Sequence, residues 1–244
     1  MAIRQQDRFV TRAETGAIDE GLRAYMLRVY NYMAAGLGVT GLTAWAVANV
    51  PALQSIFYTV TAEGIRPNIL GYVAIFAPLA MVFLMSFRIQ RMSFSSAQLT
   101  YWVFALLMGV SLASIFWVYT GTSIARVFFI TAASFGALSL YGYTTKRDLS
   151  GFGSFLFIGL IGIIIAAVVN MFLASSALQF AISVIGVLVF AGLTAYDTQQ
   201  IKQMYYAADD SEIAGKKAIM GALRLYLDFI NMFIMLMQLF GNRN

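Results

Sequence analysis

From residue 26 onward, the chain is a succession of apolar runs, each about 20 residues long, the length a helix needs to cross a hydrocarbon layer. They fall at 26–48, 69–87, 97–119, 123–143, 154–173, 177–200 and 219–240, with short connectors between them. A run this long and this apolar can satisfy its backbone in lipid only as a helix. Composition agrees: 60% of the 244 residues are hydrophobic and only 11% are charged, against about 25% charged in a soluble domain. The expected fold is therefore an all-α polytopic membrane domain over 25–244, preceded by a polar tail over 1–24. The tail mixes Arg4, Asp7, Arg8, Arg12, Glu14, Asp19, Glu20 and Arg23. It has neither the apolar core nor the small-residue cleavage site of a signal peptide.

Sidedness follows from Lys and Arg near the ends of the spans. One side receives Arg4, Arg8, Arg12, Arg23, Arg28, Arg88, Arg91, Lys146, Arg147, Lys202, Lys216, Lys217 and Arg224. The other receives Arg66, Arg126 and Arg243. The amino terminus is thus expected in the cytosol and, after seven crossings, the carboxyl terminus outside. Read this way, the net charge of +5 is a topology signal and an attraction to the lipid bilayer rather than a nucleic-acid footprint.

Cys and His are both absent. That excludes disulfides, thiolate metal sites, a Ser–His pair, an HExxH zinc helix and a histidine proton relay. No span interior carries the Lys that a retinal Schiff base needs, and the GxGD pattern of an intramembrane aspartic protease is missing. No enzyme and no resident cofactor are expected.

Charge inside a span is costly and marks function. Asp228 lies well inside the last span, in Leu225-Tyr226-Leu227-Asp228-Phe229-Ile230-Asn231. At 100° per residue it shares one face with Arg224, Asn231, Met235, Gln238 and Asn242. Such a polar stripe has to be buried against other helices or a watery cavity. Asp197, in Ala195-Tyr196-Asp197-Thr198-Gln199-Gln200, sits near the cytosolic end of the sixth span, where pairing with Lys202 is the bland reading of it. Arg88 ends the second span on that same side and can pair with a carboxylate or snorkel to lipid phosphate. Pro78 frees a carbonyl inside the second span, which a neighbouring helix has to satisfy. Gly36, Gly38 and Gly41 offer a close-packing face on the first span.

Three stretches, Phe135–Phe155 (FGALSLYGYTTKRDLSGFGSF), Ala195–Lys202 (AYDTQQIK) and Ala222–Gly241 (ALRLYLDFINMFIMLMQLFG), resemble the Bax inhibitor-1 family and its bacterial members in particular. The resemblance implies a last helix that is central and wrapped by the other six as two triplets. It also implies a pH-gated calcium leak through a pair of aspartates, matched here by Asp197 and Asp228. An arginine of the second span, matched by Arg88, would latch one of them. The last residues, Gly241-Asn242-Arg243-Asn244, lack the basic tail of animal and plant members, so regulation through such a tail is not expected.

Two carboxyls in hydrogen-bonding reach in a low-dielectric site cannot both ionise cheaply and tend to share one proton. Ionised, they are hard oxygen ligands that suit Ca²⁺. Acid can open such a pore by releasing the arginine latch, or close it by neutralising the ion's ligands, and the sequence leaves both open. The rival reading is a membrane regulator without conduction, like bacterial relatives that modulate a membrane-bound ATP-dependent protease through the cytosolic tail. One condition follows from helix rise. Asp228 lies deeper in its span than Asp197, so the two meet only if the sixth helix runs past 200 or the seventh begins before 219.

Overall fold

In the computed structural model the described residues are mostly helical, as the apolar runs dictate, with one short β-ribbon among them. The structure describes residues 2–62 and 64–244, with side chains from Glu20 onward. The charged side chains expected to form the tail before Glu20 lie outside the described residues.

The helices are α1 (Ala2–Asn49), α2 (Pro51–Phe57), α3 (Ile69–Arg88), α4 (Phe94–Leu112), α5 (Ile115–Val118), α6 (Gly121–Thr144), α7 (Ser150–Leu173), α8 (Ser176–Gln203) and α9 (Ser211–Phe240). Six spans among the described residues are long and apolar enough to cross a membrane. The part of α1 from Glu20 adds a seventh together with α2, which turns away by 98° at Pro51. The chain is an all-α polytopic membrane protein. Strands β1 (Tyr58–Thr61) and β2 (Gly64–Pro67) pair antiparallel in the connector after α2, a detail that the apolar pattern did not announce.

Helix starts are set by polar caps. Side chains of Asn68, Ser93, Thr120, Ser175 and Asp210 accept from the backbone N–H three residues on, opening α3, α4, α6, α8 and α9. Each cap satisfies one of the orphan donors of a helix start. Pro78 lies in the unbroken α3, and the Ala74 carbonyl it frees accepts from Ser111 Oγ of α4 at 2.8 Å. A neighbouring helix thus replaces the missing backbone bond.

Close helix approach runs through small residues, though not all of those expected. A Cβ on Gly36 would strike the Tyr101 hydroxyl of α4, and one on Gly109 would strike Thr43 of α1. Gly38 and Gly41 face open space, with nothing within 4 Å of a built Cβ. They lie off the line where α1 and α4 cross, so the expected three-glycine face reduces to Gly36. Between α6 and α8 the approach is closest at Gly142, where a Cβ would run into the Ala195 carbonyl.

The helix α9 packs on α1, α4, α6 and α8. Its most apolar stretch is 67% buried, against 11–39% for the other five single spans. Its carboxyl end is stitched to the turn before α6. Tyr119 pairs with Arg243, Thr120 N donates to Asn242 O, Asn244 N to Val118 O and Asn242 N to Ser123 Oγ, the last three at 2.9–3.0 Å.

Candidate functional site

The condition for the two aspartates to meet is satisfied from both sides. The helix α8 continues to Gln203 and α9 starts at Ser211, each beyond the boundary that hydropathy alone would set. The extension of α9 is capped by Asp210, which accepts from Ile213 N at 2.7 Å, and braced by the Lys216–Glu212 and Lys217–Asp209 ion pairs. Charge in the connector had marked these residues as loop; the cap, the i,i+4 pair of Glu212 with Lys216 and the tie of Lys217 back to Asp209 favour helix there.

A cavity of about 620 Å³ opens between α7, α8 and α9, and its lining includes Asp197, Arg224, Asp228 and Asn231. Gly153 and Ser154 of α7, with Phe190 and Tyr196 of α8, complete much of the wall. Asp228 is only 4% exposed. Among the described residues, no hydrogen-bond partner is found for its Oδ2. The Asp197 and Asp228 carboxyls face the same cavity and interact with each other, a contact that becomes a hydrogen bond only when one proton sits between the two. Arg224, one turn before Asp228 on α9, exerts its charge on both carboxyls without closing into a salt bridge with either. Asn231 Nδ2 donates to Leu227 O at 2.8 Å, and the amide oxygen stays available to the cavity.

Other expected residues lie elsewhere. Arg88 is exposed at the end of α3 and does not line the cavity; the basic residue there is Arg224, carried by the same helix as Asp228. Lys202 does not pair with Asp197, because its ammonium donates to Tyr143 O at 2.8 Å. The polar stripe of α9 is not enclosed along its whole length, since Arg224 and Gln238 are exposed. It faces an open cavity at one end and an amide cluster at the other. In that cluster Gln238 Oε1 accepts from Gln179 Nε2 and Ser183 Oγ, both at 2.7 Å, and Asn170 Nδ2 donates to Gln179 Oε1 at 3.1 Å.

The residues after Asp197 hold neighbouring helices. Gln199 accepts from Leu149 N and donates to Arg147 O, both at 2.8 Å, which fixes the connector between α6 and α7. Thr198 donates to Thr194 O, so it must accept from Ser139 Oγ at 2.9 Å, and Ser139 in turn accepts from Tyr30 at 2.6 Å. These hydroxyl partners come from three different helices, and no single-helix pattern could reveal them. Among the described residues no group of three or more Asp, Glu, His or Cys side chains could hold a metal ion.

Comparison with known proteins identifies the family of the chain. A family model described as inhibitor of apoptosis-promoting Bax1 matches residues 22–244. The chain is 51% identical to an uncharacterized protein of Rickettsia prowazekii over 96% of its own length and 95% of the relative's. It is 49% identical to the inner membrane protein YbhL of Escherichia coli, covering 91% and 93% of the two chains. An uncharacterized membrane protein of Streptococcus pyogenes is 33% identical, over 93% and 96%. With the family model matched over residues 22–244 and these relatives aligned over nearly their full length, this chain belongs to the Bax inhibitor-1 family.

Proposed function

We propose that this protein is a pH-sensitive calcium-leak channel or transporter of the bacterial inner membrane, gated by the Asp197–Asp228 pair. The observation that carries this reading is the single cavity in which both carboxyls lie within reach of each other, beside Arg224 and inside membrane-spanning helices. The inner-membrane location is supported by the printed name of the Escherichia coli relative and by the apolar spans. The amino terminus is cytosolic and the carboxyl terminus external, a reading supported by the uneven distribution of Lys and Arg.

With one shared proton the pair carries a single negative charge, which the Arg224 guanidinium offsets across the cavity. Loss of that proton leaves two carboxylates, an excess that a divalent cation neutralises better than one arginine does. Ca²⁺ is then the cargo, met by the two carboxylates, the Asn231 amide oxygen and water. Protonation thereby biases the helices that wall the cavity between two arrangements. Arg224, rather than Arg88, supplies the latch.

Calcium flux into proteoliposomes, measured as a function of pH, tests the proposal. Wild-type flux should follow pH, and Asp197→Asn or Asp228→Asn should each remove that dependence while the protein stays folded. The double variant should add little, because coupled groups act as one switch. Unaltered pH dependence in both single variants, or no flux at any pH from folded wild type, would sink the reading. Deleting residues 1–19 should leave conduction intact; loss of function confined to a protease partner on that deletion would favour the non-conducting regulator instead.

A further inference from the structure

A second cavity, of about 730 Å³, lies between α1 and α6, and the aspartate pair is not among its lining. We propose that it is a binding site for one anionic phospholipid, an inference that does not depend on ion conduction.

The helix α1 contributes Arg23, Met26, Leu27 and Tyr30, which recur at helical spacing and form one stripe. The helix α6 runs the opposite way, so Tyr143 lies towards the Arg23 end and Phe135 towards the Tyr30 end. Apart from Arg23 and a few hydroxyls the walls are hydrocarbon, and both belong to membrane-spanning segments, where the surrounding solvent is acyl chain. The groove extends about 10 Å along α1 from Arg23 to Tyr30, at 1.5 Å per residue. That length accepts a headgroup at the interface and the upper part of an acyl chain below it.

Charge chooses the headgroup. Arg23 is exposed at the mouth and takes part in neither ion pair found among the described residues. Lys202 reinforces the same end, its ammonium held by Tyr143 O at 2.8 Å and lying 5.0 Å from the centre of the Tyr143 ring. A basic pocket between helices at one face of a membrane is suited to an acidic lipid headgroup, whereas a zwitterionic lipid brings no net charge to it. The wall is also wired inward: Tyr30 and Ser139 line the groove and pass hydrogen bonds to Thr198, the residue next to Asp197.

The test uses the full chain in detergent, mixed with equimolar phosphatidylglycerol and phosphatidylcholine of identical acyl chains and read by native mass spectrometry. Wild type should retain one phosphatidylglycerol in preference. Arg23→Gln should lower that preference about fivefold, the contribution of one basic residue near a membrane surface. Gly136→Trp should abolish retention of both lipids, because a Cβ at Gly136 meets nothing within 4 Å and the ring enters open groove. Should Gly136→Trp fail to match the wild-type melting curve without lipid, Leu27→Trp, at a groove position 51% exposed, serves in its place. Equal retention of the two lipids by wild type overturns the proposal, as does undiminished phosphatidylglycerol on a folded groove-filling variant.

Discussion

Thr198 illustrates how much one side chain can connect. Its hydroxyl donates within α8 and accepts from Ser139, which accepts from Tyr30, so the direction of every proton in the chain is fixed. Thr198→Val keeps the shape and leaves the Ser139 hydroxyl without its acceptor. The expected cost is about 1 kcal/mol, in the range of side-chain hydrogen bonds within membranes. Tyr30→Phe should cost a similar amount, and the double variant less than the two together, because both act on Ser139. Reversible unfolding in detergent would measure all three; strict additivity would show that the hydroxyls act separately. At this scale the sequence was legible only where charge stood in an apolar run. Asp228 stood out as a charge deep in a span, and it is buried; Asp197 drew notice through its flanking motif, and it lines the same cavity. Thr198, Gln199 and Ser139 are common in loops, caps and spans alike, and their value here lies wholly in which other helix they meet.

The elements were easier to anticipate than their ends. Hydropathy located every span, because lipid imposes length and apolarity directly. It stopped α9 short, since Lys216 and Lys217 are costly in hydrocarbon but favourable in a helix that begins in water, where they pair with Glu212 and Asp209. The family resemblance, for its part, matched the latch to Arg88 of the second span, whereas Arg224 at the polar end of α9 is the arginine that lines the cavity. Packing between α3 and α4 offers a direct test of backbone repair. Ser111→Ala removes the donor to the Ala74 carbonyl and should cost about 1–2 kcal/mol. In a Pro78→Ala background residue 78 regains its own N–H, the helix closes its i→i−4 bond, and the same Ser111→Ala change should cost measurably less. An identical loss in both backgrounds, by the same unfolding assay, would mean that the hydroxyl serves some other purpose.

For the whole molecule the strongest sequence signal was the imbalance of basic residues, and it leads to a simple expectation. Reporter fusions should report the amino terminus in the cytosol and the carboxyl terminus outside; both ends on one side would require a crossing fewer than seven. The bend of 98° between α1 and α2 marks the span where the count would fail first. Close contacts such as Gly142 on Ala195 and Gly36 on Tyr101 were only partly foreseeable, because a glycine declares room for approach without naming its neighbour. The bonds that join residues 242–244 to the turn at 118–123 carry a mechanical consequence. A piston stroke of α9 along its axis would have to break them all together, whereas a swing about that end preserves them. A tilt of α9 would then turn about its carboxyl end, carrying Asp228 on an arm of about 18 Å and Arg224 on one of about 24 Å, at 1.5 Å per residue from Phe240.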